Sequence, residues 1–596
     1  ASPALKNFSW AALSPAEQEW FSKKCTGATQ LSQCTSALND VQRGLIENGE
    51  VMLNYLRGQQ EMQTTLDTLN NPLMRVRDHT LGDVVNAKAT YVRDSRRAYL
   101  DAGYAAFRVT QASRAASLYV AANDGMLHAF KADAENDAGT ELWAYVPRQV
   151  MPDLWQLADN AYGLHHRYFV DGSPTIGDVA LDGVWKTILV AGLNKGGRGF
   201  YALDVTDPNR PQALWEFCAE AERCALQDDN LGYSYADPII TKRPSDGKWV
   251  VLVTSGYNNN VVPGNNAATG DGKGYLYVLD ANTGRLLEKI STDVGDTTTP
   301  SGLSKISAWV ENAQTDNTTL RVYGGDYLGN LWRFDLPREV GSTITVKRLA
   351  RLTDPSNLAQ PITSAPELGR CESKDMVYIG SGSYLGDSDV SNAQTQTIYA
   401  IKDTGTELGV LRPDSNAAAS SGDMLQRTLT PFVGSDGRAT GELIISNNST
   451  DLDLATRRGW FMDLDQHREG LDEQTGQTID LPGERVNMLS LPVQLVRNTL
   501  VAVTNQPAAA VNACQIGGVS YQYNISACTG GAVNGVLHGV VGTKLADAIV
   551  VGSLIVMLPS GKFKLISTLA GGTQKTTDVP IDSGGARRVS WRELTQ

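Results

Sequence analysis

Short apolar runs alternate with glycine-rich turns along most of the chain, and residues 186–208 show this pattern most clearly. An apolar run at 188–190 precedes a turn that contains Gly196, Gly197 and Gly199, and a second apolar run follows at 200–203. Two apolar runs on either side of such a turn predict a β-hairpin. A hairpin alone cannot bury its apolar side chains, so further strands must pack against it.

A four-residue pattern in the second half of this hairpin recurs along the chain. It consists of an aromatic residue or histidine, any residue, an apolar residue, and a polar or charged residue. The pattern begins at seven positions, 55 to 76 residues apart: His128, Tyr201, Tyr277, Trp332, Tyr399, Trp460 and Tyr523. Each repeat has room for four strands, and four antiparallel strands repeated seven times predict an all-β fold, a seven-bladed β-propeller. The alternative is a large mixed-β protein in which the pattern recurs by chance.

The beginning of the chain carries helix signals instead of strand signals. Ser14 is placed as the N-cap of a helix, and Glu17 is placed to close a capping box with it. A later short helix ends at Gly58, a residue typical of the position after a helix. We therefore predict two parts: residues 1–70 form a helical segment that packs on the propeller and has no chemistry of its own, and residues 71–596 form the propeller.

The charge balance excludes one class of partner. Lys and Arg number 52 against 65 Asp and Glu, which gives a net charge of −13. A protein that binds nucleic acid needs a basic surface to neutralise phosphates, so nucleic acid is not expected as a partner. No apolar run approaches the roughly 20 residues of a membrane-spanning helix, so no membrane span is expected.

The seven cysteines lie mostly in close pairs, and no pair has the C-x-x-C spacing of zinc or thioredoxin sites. Close pairs suit local disulfides in an oxidising compartment, and the alternative is free buried thiols. The predicted disulfides are Cys25 with Cys34, Cys218 with Cys224, and Cys514 with Cys528, which leaves Cys371 as the odd cysteine.

The glycine-rich turn at residues 195–199 also suggests a phosphate-binding loop. It lacks the Walker spacing and a following helix. We interpret its glycines as structural, since a tight turn requires positive φ angles.

Seven stretches carry motifs that are more specific together than any one of them alone. They are YVAANDGMLHAF at 119–130, YFVDGSPTIGD at 168–178, the hairpin at 186–208, GYLYVLDANTG at 274–284, GGDYLGNLWRFD at 324–335, QPITSAP at 360–366 and RRVSWREL at 587–594. In this order they resemble the PilC/PilY family, the tip-associated adhesins and biogenesis factors of bacterial type IV pili. The resemblance runs from about residue 50 to the C-terminus.

The resemblance implies a modified seven-bladed β-propeller that forms the family's C-terminal domain. It implies a non-enzymatic protein that supports pilus biogenesis by opposing retraction, and that takes part in twitching motility and in attachment to surfaces or host cells. Minor pilins at the pilus tip are the implied partners. The implied location is extracytoplasmic, at the pilus tip or cell surface after passage through the periplasm. Because family members also carry a large N-terminal region, we expect this chain to be the C-terminal half of a longer protein.

The resemblance also implies a calcium loop with four side-chain ligand positions ahead of a strand. In this sequence those positions are Asn312, Gln314, Asp316 and Leu320. Calcium takes six to eight oxygen ligands, and Leu320 supplies none. Glu311 is the neighbouring carboxylate that would compensate. We therefore hold two hypotheses: a degenerate calcium loop at Asn312, Gln314 and Asp316, or a hairpin turn that has lost its metal.

Two other functions compete with a pilus role. Quinoprotein dehydrogenases that use pyrroloquinoline quinone are propellers with segments similar to residues 274–284, but as a family they stack two adjacent cysteines on the quinone, and this chain has no adjacent cysteines. A carbohydrate-binding propeller is the third reading, and nothing in the sequence separates it from an adhesin. The chain also has no H-E-x-x-H and no G-x-S-x-G motif, and we predict no catalytic residues.

Overall fold

The computed structural model describes residues 5–133, 137–260, 270–409, 411–412, 424–449, 451–467, 469–471, 478–486, 493–508, 517–582 and 587–588. The chain divides into two compact units. The first comprises the chain up to Lys242 with Lys248–Lys289 and Gly295–Pro300, and the second comprises Arg243–Gly247, Ile290–Val294 and the chain from Ser301.

The helices of the first unit are short and lie mainly before its sheets. They are α1 (Pro15–Glu19), α2 (Asp40–Glu47), α3 (Gly49–Leu56), α4 (Glu61–Thr64) and α5 (Tyr104–Gln111), with 3₁₀ helices at Trp10–Ala12, Arg148–Ala158 and Tyr162–Leu164. The predicted capping box is present, since the Ser14 hydroxyl accepts a hydrogen bond from the Glu17 amide and the Glu17 carboxylate accepts one from the Ser14 amide. Gly58 follows α3 with a φ of 108°, as its position predicts.

The helical segment belongs to the first unit and shares one core with it. Met52, Leu53 and Tyr55 of α3 are buried together with Val150 and Leu154 of the long 3₁₀ helix. A polar contact reinforces this packing. The buried Gln33 side chain donates hydrogen bonds to the carbonyl oxygens of Leu73 and Ala158, both at 3.0 Å. None of the described helices is long and apolar enough to cross a bilayer.

Within the described part of the first unit alone, the strands pair as three antiparallel sheets of four or more strands, with one parallel edge strand, β9. Their strands are β1 (Thr90–Val92), β2 (Ser117–Ala122), β3 (Met126–Lys131), β4 (Glu141–Tyr145), β5 (Thr175–Leu181), β6 (Val184–Gly192), β7 (Gly199–Asp204), β8 (Gln212–Cys218), β9 (Leu226–Gln227), β10 (Ile239–Lys242), β11 (Trp249–Thr254), β12 (Tyr275–Asp280) and β13 (Leu286–Ser291). The sheets are β1–β4, β5–β9 and β10–β13, each in sequence order.

The predicted hairpin at 186–208 is formed by β6 and β7, with Leu189 opposite Leu203. The turn glycines were predicted to provide positive φ angles, and the structure shows a different reason for glycine here. Asn194 has the positive φ, at 50°, whereas Gly196 lies against the backbone of Phe169. A Cβ at residue 196 would lie 1.9 Å from the Phe169 carbonyl oxygen, so close backbone approach requires glycine here.

The second unit is also built from sheets. Its strands are β14 (Ile306–Asn312), β15 (Asp316–Gly325), β16 (Asn330–Asp335), β17 (Thr345–Arg351), β18 (Glu367–Cys371), β19 (Lys374–Gly380), β20 (Thr397–Lys402), β21 (Leu425–Arg427), β22 (Leu429–Val433), β23 (Ala439–Ile445), β24 (Gly459–Asp463), β25 (Glu469–Leu471), β26 (Thr478–Asp480), β27 (Gln494–Val496), β28 (Thr499–Pro507), β29 (Gly518–Ser526), β30 (Val540–Ala546), β31 (Val550–Met557), β32 (Phe563–Leu569), β33 (Gln574–Val579) and β34 (Arg587–Arg588), with 3₁₀ helices at Asp387–Asp389 and Leu537–Gly539.

These strands form four sheets of three or more strands in the described part of the second unit. The first is β14–β17, and the second has the order β21-β24-β20-β19-β18-β34. The third has the order β22-β23-β30-β29-β28-β27, the fourth is β31–β33, and β25 and β26 form a separate pair.

The aromatic pattern locates these sheets with one exception. The patterns that begin at His128, Tyr201, Tyr277, Trp332 and Tyr399 lie on β3, β7, β12, β16 and β20, each the third strand of its sheet in chain order, and Tyr523 lies on β29. Trp460, however, lies on β24, which pairs with β20 and extends the same sheet. Its ring is fully buried, so β24 carries the pattern without starting a new sheet. The three-stranded sheet β31–β33 lies after the last of the seven patterns.

Three disulfides lie among the residues that the structure describes, and one differs from the prediction. Cys25 pairs with Cys34 and Cys218 pairs with Cys224, as predicted. Cys528 pairs with Cys371 instead of Cys514, which lies outside the described residues. The predicted pairing of Cys514 with Cys528 was wrong because it rested on short sequence separation, whereas packing brings the end of β18 next to the residues after β29. Three disulfides fit an oxidising, extracytoplasmic compartment.

Candidate functional site

The predicted calcium loop is the tip of the β14–β15 hairpin. Strand β14 ends at Asn312, β15 begins at Asp316, and these two residues are paired across the hairpin. The Thr315 amide donates a hydrogen bond to the Asn312 carbonyl oxygen at 3.1 Å, which closes a tight turn. Leu320 lies further along β15. The chain therefore forms a short hairpin where the calcium hypothesis requires a ligand loop.

The side chains at this tip do not match the ligand set that calcium requires. Asn312 and Gln314 are exposed and neutral, and Asp316 is the single carboxylate of the four predicted ligand positions. That carboxylate accepts a hydrogen bond from the Thr318 hydroxyl at 2.6 Å. Across the described ranges, no group of three or more His, Cys, Asp and Glu side chains is arranged to hold a metal ion. The residues therefore do not fit a calcium site at this hairpin.

Glu311, the carboxylate that would compensate, already has a cationic partner. Its two oxygens accept hydrogen bonds from the two terminal nitrogens of Arg370 at 2.9 and 3.0 Å. The indole nitrogen of Trp309 donates a third at 3.0 Å. The Arg370 guanidinium holds the pKa of Glu311 below its ordinary value, with Trp309 contributing in the same direction. Glu311 is thus an ionised carboxylate in a bidentate pair.

The guanidinium of Arg370 also reaches a second carboxylate. Its Nε donates to Asp375 at 2.7 Å, and Arg321 donates to the other oxygen of Asp375 at 2.8 Å. Both guanidinium groups lie over the Trp309 ring, Arg321 at 4.3 Å and Arg370 at 5.1 Å from the ring centre. We call Glu311, Asp375, Arg321, Arg370 and Trp309 the arginine clamp. It joins the β14–β15 hairpin to β18 and β19 through charge-assisted and cation–π contacts.

A fully buried carboxylate, Asp403, lies next to the arginine clamp. Arg333 donates to both of its oxygens at 2.7 and 2.8 Å, and Arg321 donates at 3.4 Å. Tyr323 and the Gly405 amide supply further hydrogen bonds. Burial raises the pKa of Asp403, but these hydrogen bonds and Arg333 outweigh burial and hold the pKa below its ordinary value. Asp403 is therefore a buried, ionised hub for two arginines.

An open polar cavity of about 690 Å³ borders this network. Its lining includes Arg370, Lys374, Asp375 and Lys402, so it carries both signs of charge. Lys402 is already engaged, since its ammonium group donates to the Leu454 carbonyl oxygen at 2.7 Å. The cavity therefore lies beside the clamp and shares Arg370 and Asp375 with it.

Sequence reasoning identified Glu311 but missed the other charged residues of this network. Arg321 and Tyr323 alternate on one face of β15, and Asp403 directly follows β20. Charged residues that alternate with buried aromatic residues in a strand indicate a buried ion pair, since an unpaired charge is costly there. The partners lie in different repeats, and so sequence spacing does not reveal them.

The repeated antiparallel sheets, with an aromatic residue on the third strand of most of them, define this chain as a β-propeller protein. It belongs to the PilY1 beta-propeller family, whose family model matches residues 81–433. It is 32% identical over 558 residues to the type IV pilus biogenesis factor PilY1 homolog of Xylella fastidiosa, covering 85% of this chain and 33% of that protein. It is 31% identical over 498 residues to the type IV pilus biogenesis factor PilY1 of Pseudomonas aeruginosa, covering 77% of this chain and 39% of that protein.

A solved structure agrees with the family assignment. The crystal structure of the Pseudomonas aeruginosa PilY1 C-terminal domain matches with a TM-score of 0.59 and 25% identity, covering 82% of this chain and all of that one. The chain thus spans between a third and two fifths of the length of these two full-length relatives, and it covers the whole of the solved C-terminal domain.

Proposed function

We propose that this chain is the β-propeller part of a type IV pilus tip-associated protein that supports pilus biogenesis. In this role it opposes pilus retraction, binds minor pilins at the tip, and takes part in twitching motility and in attachment to surfaces or host cells. The proposed location is outside the cytoplasm, at the pilus tip or cell surface.

One observation carries this proposal. The similarity to the Xylella fastidiosa relative, which is named as a pilus biogenesis factor, extends over 85% of this chain. A match of that extent includes parts of both units, and so it does not rest on one shared motif. The three disulfides support the proposed location, because such bonds persist where the environment is oxidising.

The proposed role is non-enzymatic. The relatives are named for pilus biogenesis, and the buried charged groups at the candidate site are paired with one another rather than directed at a substrate. Ion pairs of this kind hold strands together and offer no unpaired acid or base for proton transfer. A quinoprotein dehydrogenase is the alternative, and quinone reconstitution would test it if the pilus experiment below contradicts the proposal.

The first experiment counts surface pili in a strain that lacks the gene for this chain, with and without the pilus retraction motor. We expect pili to disappear in the single deletion and to return when retraction is also blocked. Reintroduction of the wild-type gene should restore piliation. Unchanged piliation in the single deletion would contradict the proposal, and the purified chain would then be tested for quinone reconstitution and on glycan arrays.

The second experiment tests the partner. Purified chain is immobilised, and purified minor pilins from the same organism are passed over it, with the major pilin as the matched control. We expect binding of at least one minor pilin and none of the major pilin. Equal binding of both, or of neither, would contradict the proposed docking at the pilus tip.

A further inference from the structure

The β14–β15 hairpin is already paired with a cationic side chain of the same chain, Arg370 of β18. Arg370 donates two parallel hydrogen bonds to Glu311 and a third to Asp375, so one guanidinium bridges two carboxylates. A bound metal ion would make the same connection, since it too would draw oxygen ligands from separate segments around one positive charge. Here the connection runs from β14 to β18 and β19.

Trp309 orients the groups of this bridge. Its side chain is fully buried, its indole nitrogen donates to Glu311, and its ring lies under the guanidinium groups of Arg321 and Arg370. A planar guanidinium both stacks on an aromatic ring and pairs with a carboxylate in bidentate geometry, whereas a lysine ammonium does not. The site is therefore built for arginine specifically.

The position of Arg370 is also set by the backbone. It lies in β18 directly before Cys371, whose disulfide to Cys528 anchors the end of that strand. On its other edge β18 pairs with β34, where Arg370 lies opposite Arg587. Because the backbone of β18 is anchored, less conformational freedom is lost when Arg370 forms the bridge than for an arginine on a mobile segment.

We propose that the Arg370 guanidinium is the resident cation of the β14–β15 hairpin, so that this hairpin holds its position without calcium. The hairpin is then sensitive to ionic strength and to the loss of Arg370, and insensitive to calcium. This inference concerns the chain itself and does not depend on the proposed pilus function.

Hydrogen–deuterium exchange of the full chain tests this inference, because it reports on the hairpin separately from the rest of the molecule. In the wild type, adding calcium, magnesium or a chelator should leave exchange in the β14–β15 peptides unchanged. Arg370→Gln should speed exchange in these peptides roughly five-fold, the change that about 1 kcal/mol of lost local stability produces. Added salt should speed exchange in the wild type in the same peptides, since screening weakens exposed ion pairs.

Two further variants make the test specific. Glu311→Gln should speed exchange in the same peptides, and the double variant with Arg370→Gln should be no worse than Arg370→Gln alone, because Arg370→Gln already removes the pair with Glu311. The matched control is Arg348→Gln, which removes an exposed pair with Glu407 and should leave the hairpin unchanged. If Arg370→Gln does not fold, Arg370→Lys takes its place and should show a smaller increase.

Two results would overturn the inference. One is slower exchange of the wild-type hairpin in calcium but not in magnesium, because it would show that a metal ion holds the hairpin. The other is unchanged exchange in both Arg370→Gln and Glu311→Gln, because it would show that the guanidinium bridge does not hold the hairpin.

Discussion

Cys371 at the end of β18 forms a disulfide with Cys528, which lies just after β29 and 157 residues further along the chain. The bond joins two different sheets of the second unit. The other two disulfides close short loops within the first unit, over 9 and 6 residues. The three bonds are therefore expected to differ in what they contribute to stability.

Removal of the Cys371–Cys528 disulfide should lower the unfolding free energy more than removal of either short-range disulfide. In the chain-entropy model, a bond that closes about 157 residues restricts the unfolded chain by about 5 kcal/mol, against roughly 2–3 kcal/mol for the short loops. We expect Cys528→Ser to lower the guanidinium unfolding midpoint clearly more than Cys224→Ser does. Equal midpoints for the two variants would contradict the prediction.

The pairing itself is checked by peptide mapping without reduction. We expect the peptide that contains Cys371 to be linked to the one that contains Cys528. Recovery of Cys514 linked to Cys528 would show that the pairing inferred from sequence spacing is right and the long-range bond is not.

His128 should make the stability of the first unit depend on pH. Its buried ring is held between Glu141, at 2.6 Å, and Asp124, at 3.1 Å. Burial lowers the pKa of His128, but the hydrogen bonds and charges of Asp124 and Glu141 outweigh burial and raise the pKa above 6.5. The protonated ring therefore contributes its whole share of the unfolding free energy at pH values below the unfolded-state pKa of about 6.5. This contribution is lost as the pH rises through the folded-state pKa.

The measurement is the melting temperature as a function of pH for the wild type and for His128→Gln. The difference between them should be largest at about pH 5 to 6 and should shrink above pH 7. His165→Gln is the control, because His165 is exposed. A difference that is constant over this pH range would mean that His128 stabilises the fold by packing alone.

Asp403→Asn should destabilise the second unit strongly. The carboxylate is fully buried, and its removal leaves the guanidinium groups of Arg321 and Arg333 without their shared counter-charge. Breaking a buried pair in this way costs about 3–5 kcal/mol. We expect a large drop in the urea midpoint. Glu407→Gln is the matched control, because its pair with Arg348 is exposed and contributes less than about 1 kcal/mol.

Two glycine substitutions should change stability in opposite directions. Gly196→Ala places a Cβ 1.9 Å from the Phe169 carbonyl oxygen, so the backbone must shift, at a cost of about 2 kcal/mol or more. Gly44→Ala in α2 meets nothing within 4 Å and should stabilise the protein by about 0.5–1 kcal/mol through helix propensity. Thermal unfolding of the two variants beside the wild type checks both. A neutral Gly196→Ala would show that the hairpin tolerates the displacement.

The repeated antiparallel strands, and most of the strands that carry the aromatic pattern, were predictable from the sequence. The β6–β7 hairpin and the patterns at Tyr201 and Tyr277 follow from alternation within a strand, which is a local property. The pattern at Trp460 shows where this reasoning fails. An aromatic residue two positions before an apolar one indicates a buried strand, but it does not indicate which strand pairs with it. The pattern on β24 was therefore interpreted as a separate repeat, whereas β24 pairs with β20.

The candidate site was only partly predictable. The resemblance to the PilC/PilY family led to two hypotheses for Asn312, Gln314 and Asp316, a degenerate calcium loop or a hairpin turn without metal, and Glu311 was identified as the neighbouring carboxylate. The sequence did not identify Arg370 as the partner of Glu311, because the two are 59 residues apart and belong to different repeats. Only a contact between two hairpins places a guanidinium there.

The sequence by itself determined the repeated strand pattern, the helix start at Ser14, the two short disulfides and the resemblance to the PilC/PilY family. Each of these depends on residues that are near one another in the chain or on motifs in a fixed order. The tertiary structure alone decided the Cys371–Cys528 bond, the sheet to which β24 belongs, and the arginine clamp. The physical reason is that these three join residues from distant parts of the chain, and packing of one sheet against another selects such partners from many that have suitable chemistry.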